Sequence, residues 1–225
     1  RTVGWRDSQL VIVFGALLIA IIAVASGVSI TMLRDSEVDV WKKQLASTSL
    51  VLAEHVTQTT ASAYIALDSI AEHVMEGGVA DAEQLRKKAG TREIYAMMRE
   101  NTESLPQVDV ATIVAQNGDV LNFTRSFPAP AINLADRDYF QVQQASNAAG
   151  GFISKPVRNK GNGKWVFYIS KRLNDRSGNF IGMAIIGISV AGFNSFYERV
   201  GANFGKDAAI SLYRRDFTLL TRWPL

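Results

Sequence analysis

The chain has two histidines, His55 and His73, 18 residues apart, and no cysteine. A zinc site is built from several nitrogen or sulfur donors at short spacing, so these residues offer little to hold one, and both histidines read as helix residues. Gly161-Asn162-Gly163-Lys164 has the glycines and lysine of a phosphate loop but not the rest of that motif or its strand-to-helix setting. A hairpin turn accounts for it. No serine, histidine and aspartate fall together as a nucleophile with its base. Carboxylates are plentiful, and spacing alone singles out no pair. No catalytic residue, metal or cofactor is expected, and the chemistry that remains is recognition.

The charge balance narrows what could be recognised. Lys and Arg number 24 against 21 Asp and Glu, a formal charge of +3, and the two signs are intermixed along the chain. No basic stripe points to nucleic acid. With 48% hydrophobic and 20% charged residues the composition is globular. One segment departs from it: Ser8 to Leu33 holds no Asp, Glu, Lys, Arg or His in 26 positions. As a helix at about 1.5 Å per residue it crosses a hydrocarbon core of about 30 Å. Residues 1–7 then form an N-terminal segment on the cytoplasmic side, and 8–33 a transmembrane helix. The lysine and arginine bias behind that orientation is slight. Ala23-Val24-Ala25 followed by Ser26 also has the form of a signal-peptide cleavage site, although the apolar run continues past it to Leu33. Both alternatives place residues 35–225 outside the cytoplasm.

The elements that must position a binding site follow from periodicity. Residues 34–76 lack proline and glycine and carry Val38, Trp41, Leu45, Leu52, Val56, Ala63, Leu67, Ile70 and Val74 at helical spacing. They form one long helix leaving the membrane, a rod for carrying a displacement, a packing spine, or a homodimer contact. Gly77-Gly78 ends it. A second helical stretch runs from Asp81 to before Pro106. The period then changes to two: a hairpin over 108–124, a short helix from Asp136 to Ala145, and strands at 151–157, 165–173 and 180–189. A helix over 194–200 leads into another hairpin at 208–213 and 218–222. The fold is α+β, with a five-stranded, mainly antiparallel sheet. Residues 77–193 make one lobe packed on the long helix, and 194–225 begin a second; the chain reads as a fragment of a longer protein.

In this order and spacing the residues resemble a known family, the double Cache or PDC sensors of bacterial membrane receptors, whose lobes are PAS-like. The likeness covers nearly the whole chain. It rests on the span and long helix, on Ile113-Val114-Ala115-Gln116-Asn117-Gly118-Asp119-Val120-Leu121, and on Asp136-Arg137-Asp138-Tyr139-Phe140. The meander from Lys171 through Gly182 and the closing Leu212 to Leu220 complete it. Where the family usually has Asp-Gly, this chain has Asp216-Phe217, and its turn is expected to differ. The resemblance implies a membrane-distal lobe with a small ligand, a membrane-proximal lobe, and a place in the bacterial inner membrane with the soluble part periplasmic. It further implies a cytoplasmic output, most often a GGDEF diguanylate cyclase with or without an EAL phosphodiesterase. Histidine kinases and chemoreceptors carry similar sensors.

In the family's Arg-x-aromatic-aromatic element the arginine reaches into the pocket and the aromatics wall it; here these are Arg137, Tyr139 and Phe140, with Asp138 between. A guanidinium can pair a carboxylate at two points, and a tyrosine beside it can add a hydrogen bond. Alternatively Arg137 pairs with Asp136 or Asp138, and the aromatics are core. Amino-acid-binding members also have a tyrosine five residues before the arginine and an aspartate for the ligand's amine, where this chain has Ile132 and Gly187-Ile188-Ser189. The resemblance with those departures implies a small organic carboxylate without an α-amine. Other candidate contributors are Arg125, Asn133, Lys155, Tyr168 and Lys171. Alternation puts Tyr168 and Ser170 on one face of their strand and Phe167 and Ile169 on the other. A non-sensing module that binds a periplasmic protein or only dimerises is the rival reading.

Overall fold

The structure, a computed structural model, describes residues 5–147, 150–205 and 208–224. Arg1 and the start of the expected cytoplasmic segment lie outside them. The chain divides into two units between Thr57 and Gln58.

The first unit is helical throughout its described length. It is the N-terminal part of α1 (Trp5–Met75), a helix of 71 residues. Its apolar side chains, among them Ile12, Phe14, Leu17, Leu18, Ile21 and Ile22, are exposed, and an 18-residue window within it reaches a mean hydropathy of 2.5. It is long and apolar enough to cross a membrane.

The second unit begins with the last turns of α1. Ala63, Ala66, Leu67, Ile70, Ala71 and Val74 are buried at three- and four-residue spacing, the pattern of a helix with one packed face. Gly77 and Gly78 both take φ near +76°, ending the helix where a side chain would be strained. Lys88 Nζ donates to the terminal carbonyls of His73 and Glu76, a favourable place for a cation.

The helical stretch expected over 81–105 is two helices, α2 (Ala82–Ala89) and α3 (Arg92–Glu103), each with its own cap. Asp81 caps the first and Thr91 the second through their side-chain oxygens. The break is sealed from a distance: buried Asn122 donates to Ala89 O at 2.8 Å and Thr91 O at 3.0 Å.

The sheet runs in the order β2-β1-β6-β5-β3, antiparallel at each pairing. Its strands are β1 (Val108–Ala115), β2 (Val120–Phe123), β3 (Phe152–Ile153), β5 (Trp165–Asn174) and β6 (Phe180–Ser189). The mainly antiparallel sheet expected from the sequence is present, with six strands rather than five. The segment 151–157 is not one strand: a separate β4 (Val157–Arg158) also pairs β5, off that path. One face carries Val110, Val114, Val166, Tyr168, Met183 and Ile185 against Tyr139 and Phe140 of α4 (Asp138–Ala145). The other buries Ile113, Phe167, Ile169, Ile186 and Ile188, with Phe167 against Phe193 of α5 (Val190–Gly201), ring centroids 5.8 Å apart.

The hairpin β7 (Ile210–Tyr213) and β8 (Leu219–Trp223) forms its own two-stranded sheet, and α5 packs on β8. Its turn does not avoid the glycine conformation. Phe217 takes φ +63°, in the left-handed region that favours glycine, with Phe217 N donating to Arg214 O at 2.9 Å.

Candidate functional site

The candidate residues gather where the N-terminus of α4 meets β5, near the loop joining β4 to β5. Arg137 is the N-cap residue of α4, in extended backbone and without a capping side-chain bond. Its side chain is 19% exposed and Nη2 donates to Arg158 O at 3.2 Å. Its Nε is buried and has no hydrogen-bond partner; the nearest acid oxygen in an ion pair with it, Asp136 Oδ1, is 3.9 Å away. That carboxylate is already taken by Lys160 Nζ at 2.7 Å, and this hydrogen bond holds Asp136 below the usual carboxylate range.

The rings of Tyr139 and Tyr168 lie 4.7 Å apart within the core cluster beside the site. Both are buried, at 0% and 4% exposure. Burial raises both hydroxyls, Tyr168 to about 12 and Tyr139 further. Arg125 and Arg137 both act to lower Tyr168, and Asp109 to raise it. The layer beneath Tyr168 is Gly187, its partner on β6, followed by Val110 on β1.

Arg125 follows β2 and forms an ion pair with Asp109, the two side chains 22% and 10% exposed. Its guanidinium also lies over the Phe123 ring, 5.5 Å from the centroid, and its Nη1 is buried without a hydrogen-bond partner. The β4–β5 loop closes over this group. Asn159 Nδ2 donates to Asp109 Oδ2 at 3.1 Å, and Asn162 Nδ2 is 3.4 Å from Oδ1. A methyl on Gly161 would stand 2.9 Å from the Phe123 ring and 3.4 Å from Arg125 Nη1.

Of the eight residues singled out from the sequence, Arg137, Tyr139, Tyr168 and Arg125 come together. Asp138 stands among them but turns its carboxylate to backbone: Oδ1 accepts from Tyr139 N at 2.9 Å and Oδ2 from Lys155 N at 3.3 Å. Lys155 contributes that N–H, and its side chain is exposed. Asn133 belongs to a different cluster, donating to Asn117 O at 3.0 Å and Asp119 Oδ1 at 2.9 Å. There it lines a separate cavity of about 420 Å³ with Arg86 and Asp119. Lys171 lies on the opposite face of β5 and pairs with Asp68 of α1 at 2.6 Å. Period-two alternation explains this, since Tyr168 and Lys171 differ by an odd number. Asp109 was missed. Alternation puts it opposite Val110, but the β1–β6 register shifts between Val108 and Val110, and a bulge re-aims a side chain.

No family model matches the chain, and no curated protein matches it. Solved structures do. The extracellular domain of rpHK1S-Z16, named a histidine kinase, is similar at 29% identity and a TM-score of 0.63, over 79% of this chain and 68% of that one. The ligand-binding domain of the Campylobacter jejuni chemoreceptor Tlp3, solved with 4-methylisoleucine, is 12% identical with a TM-score of 0.56, over 77% of this chain and 66% of that one. That of the Pseudomonas aeruginosa PAO1 amino acid chemoreceptor PctC, solved with GABA, is 10% identical with a TM-score of 0.54, over 76% and 71%. The chain thus spans about two thirds of the length of these domains. It has the mixed helix and antiparallel-sheet fold of extracellular ligand-binding sensor domains, preceded by an apolar helix of membrane-crossing length.

Proposed function

We propose that this chain is the extracytoplasmic sensing part of a membrane-anchored, homodimeric receptor of double Cache type, and that its ligand is a small organic anion bound at Arg137. Residues 8–33 form its span, 34–76 the helix that carries the signal, 77–193 the membrane-distal lobe and 194–225 the start of the membrane-proximal one. The observation that carries the ligand reading is the buried Nε of Arg137, which makes no hydrogen bond and has only the Asp136 oxygen at 3.9 Å, beside two buried tyrosine rings. A desolvated guanidinium donor without an acceptor is costly, and a carboxylate that supplies one binds where it relieves that cost. A ligand shifts the receptor only by binding its two states differently.

The output is read as a diguanylate cyclase. A histidine kinase is the second reading, favoured by the likeness to the rpHK1S-Z16 extracellular domain at 29% identity. The test of sensing is a thermal-shift screen of the chain in detergent against small carboxylic acids, amino acids, amines and purines, with Arg137→Ala beside it. A ligand at 100 times its dissociation constant raises stability by about 2.7 kcal/mol. A shift with a carboxylate that is lost in Arg137→Ala supports the proposal. No shift with any compound, in a chain that melts cooperatively, sinks it and turns attention to a protein partner.

A further inference from the structure

We infer that Arg214 clamps the β7–β8 hairpin to the edge of the six-stranded sheet and couples that hairpin to the helix turn carrying Arg137. The purpose of the coupling rests on the sensing reading above, while the contact and its test do not.

The clamp follows from the position of β3 at the end of the sheet path, beside β5. Ser154, the residue after β3, bonds inward: its N–H donates to Tyr168 O at 2.8 Å, and its Oγ accepts from Tyr168 N at 2.9 Å. Neighbouring residues of an antiparallel strand turn their backbone groups to opposite sides, so the Ile153 carbonyl faces off the sheet edge. Arg214 meets it there. Nη1 donates to Ile153 O at 2.6 Å, and the guanidinium lies over the Phe152 ring, 5.3 Å from its centroid. The other nitrogens stay within the hairpin. Nε donates to Asp216 Oδ1 at 2.8 Å, and Nη2 pairs with Asp216 Oδ2 and reaches Thr218 Oγ1 at 3.4 Å. The planar fork is thus aimed by its own turn and offers its remaining nitrogen to the larger sheet.

Residues 152–155 tie this edge to the candidate site one residue at a time. Phe152 packs against the cluster that holds Tyr139 and Phe140. Ser154 bonds Tyr168 in both directions. Lys155 N donates to Asp138 Oδ2 at 3.3 Å, and Asp138 stands next to Arg137 with its Oδ1 accepting from Tyr139 N at 2.9 Å. Asp138 also acts on Arg214 through its charge: the hydrogen bond with Asp216 is the first cause of the raised Arg214 pKa, and the Asp138 carboxylate adds to it. The first turn of α4 and the hairpin therefore hold the same short segment from two sides, and loosening either one loosens what the other grips.

The test is hydrogen–deuterium exchange of the full chain in detergent, read by mass spectrometry without added ligand, on the native chain, Arg214→Gln, Asp138→Asn and the double variant. In Arg214→Gln exchange should rise about three- to tenfold in the hairpin, in 152–155 and in the first turn of α4, with α2 and β2 unchanged. In Asp138→Asn the rise should reach the hairpin from the other end. The double variant should exchange no faster at either end than the faster single variant, because both changes break one tie. Acceleration in Arg214→Gln that stops at the hairpin, or that spreads equally to α2 and β2, overturns the coupling. So does an Asp138→Asn chain whose hairpin exchanges as the native one does, and this variant decides the matter if Arg214→Gln does not fold. With no ligand present, either result stands whatever Arg137 binds, and failure of the sensing reading is seen separately in the thermal-shift screen.

Discussion

The rings of Tyr139 on α4 and Tyr168 on β5 lie 4.7 Å apart and inclined by 42°, a tilted aromatic contact that seats the helix carrying Arg137 on the sheet. Burial raises the Tyr168 hydroxyl to about 12, that of Tyr197 to about 12, and that of Tyr139 beyond them. A phenol whose pKa is raised by folding favours the folded state most fully below its unfolded value near 10, and that contribution is lost as pH climbs through the folded value. For Tyr168 it is on the order of 2 kcal/mol. An ultraviolet titration should therefore find these tyrosines un-ionised in the folded chain at about pH 11, with extra tyrosinate appearing on unfolding at the same pH. Ionisation of all six tyrosines in the native chain by that pH would contradict the packing described.

Gly187 is the cross-strand partner of Tyr168, and its missing side chain leaves room for that ring. A methyl there would stand 2.9 Å from Tyr168 Cε1 and 3.1 Å from Val110 Cγ1, closer than side chains tolerate without moving. Gly187→Ala should cost about 1–3 kcal/mol by overpacking. It should also push the Tyr168 ring toward Tyr139 and weaken carboxylate binding by more than the stability loss alone would. Urea melts and titration calorimetry on the same preparation separate the two effects.

The parts of the site that the sequence made legible are those fixed by local rules. The short helix expected from Asp136 is present as α4, which begins at Asp138 with Arg137 as its N-cap residue. The assignment of Tyr168 and Phe167 to opposite faces of β5 follows from strand alternation, and the same rule, applied to Lys171, removes it from the site. What escaped depends on partners distant in sequence. Asp109 reaches Arg125 through an irregular register with β6, which no pattern in residues 108–115 announces. The Gly90-Thr91 break between α2 and α3 is held by Asn122, 31 residues beyond Thr91. Asn133 looked like a pocket residue by position, yet its amide closes the β1–β2 turn, where its hydrogen bond to Asp119 is the main cause of that acid's lowered pKa.

The C-terminal end of α4 is fixed by Gln143, fully buried, whose Nε2 donates to Gly150 O and Ser170 O at 3.0 Å each and to Ser170 Oγ at 3.1 Å. Arg172, stacked on the Phe180 ring, donates to the carbonyls of Gln143 and Gln144 and closes the same helix end. Gln143→Ala removes these side-chain bonds, leaves buried acceptors unmet and opens a cavity, for a combined loss of about 2–4 kcal/mol. Because α4 carries Arg137 at its other end, the variant should also bind carboxylate more weakly while retaining the Arg137 dependence. A change in stability below about 0.5 kcal/mol would show that α4 is anchored elsewhere.

Phe217 carries strain that a single substitution can release. Its φ of +63° lies in the left-handed region, which costs a residue with a Cβ about 1–2 kcal/mol, and its ring, 87% exposed, gains little burial in return. The turn is held instead by Arg214 and Asp216. Arg214 Nε donates to Asp216 Oδ1 at 2.8 Å, Thr218 N donates to the same oxygen at 3.2 Å, and the arginine holds the acid well below the usual carboxylate range. Phe217→Gly removes the steric cost and returns part of it as added freedom of the unfolded chain, about 0.5–1 kcal/mol. The net expectation is a gain of about 0.5–1 kcal/mol in thermal or urea unfolding. A loss of stability would mean that the exposed ring packs against something in solution, which makes this exchange a probe of whether the β7–β8 turn meets a partner.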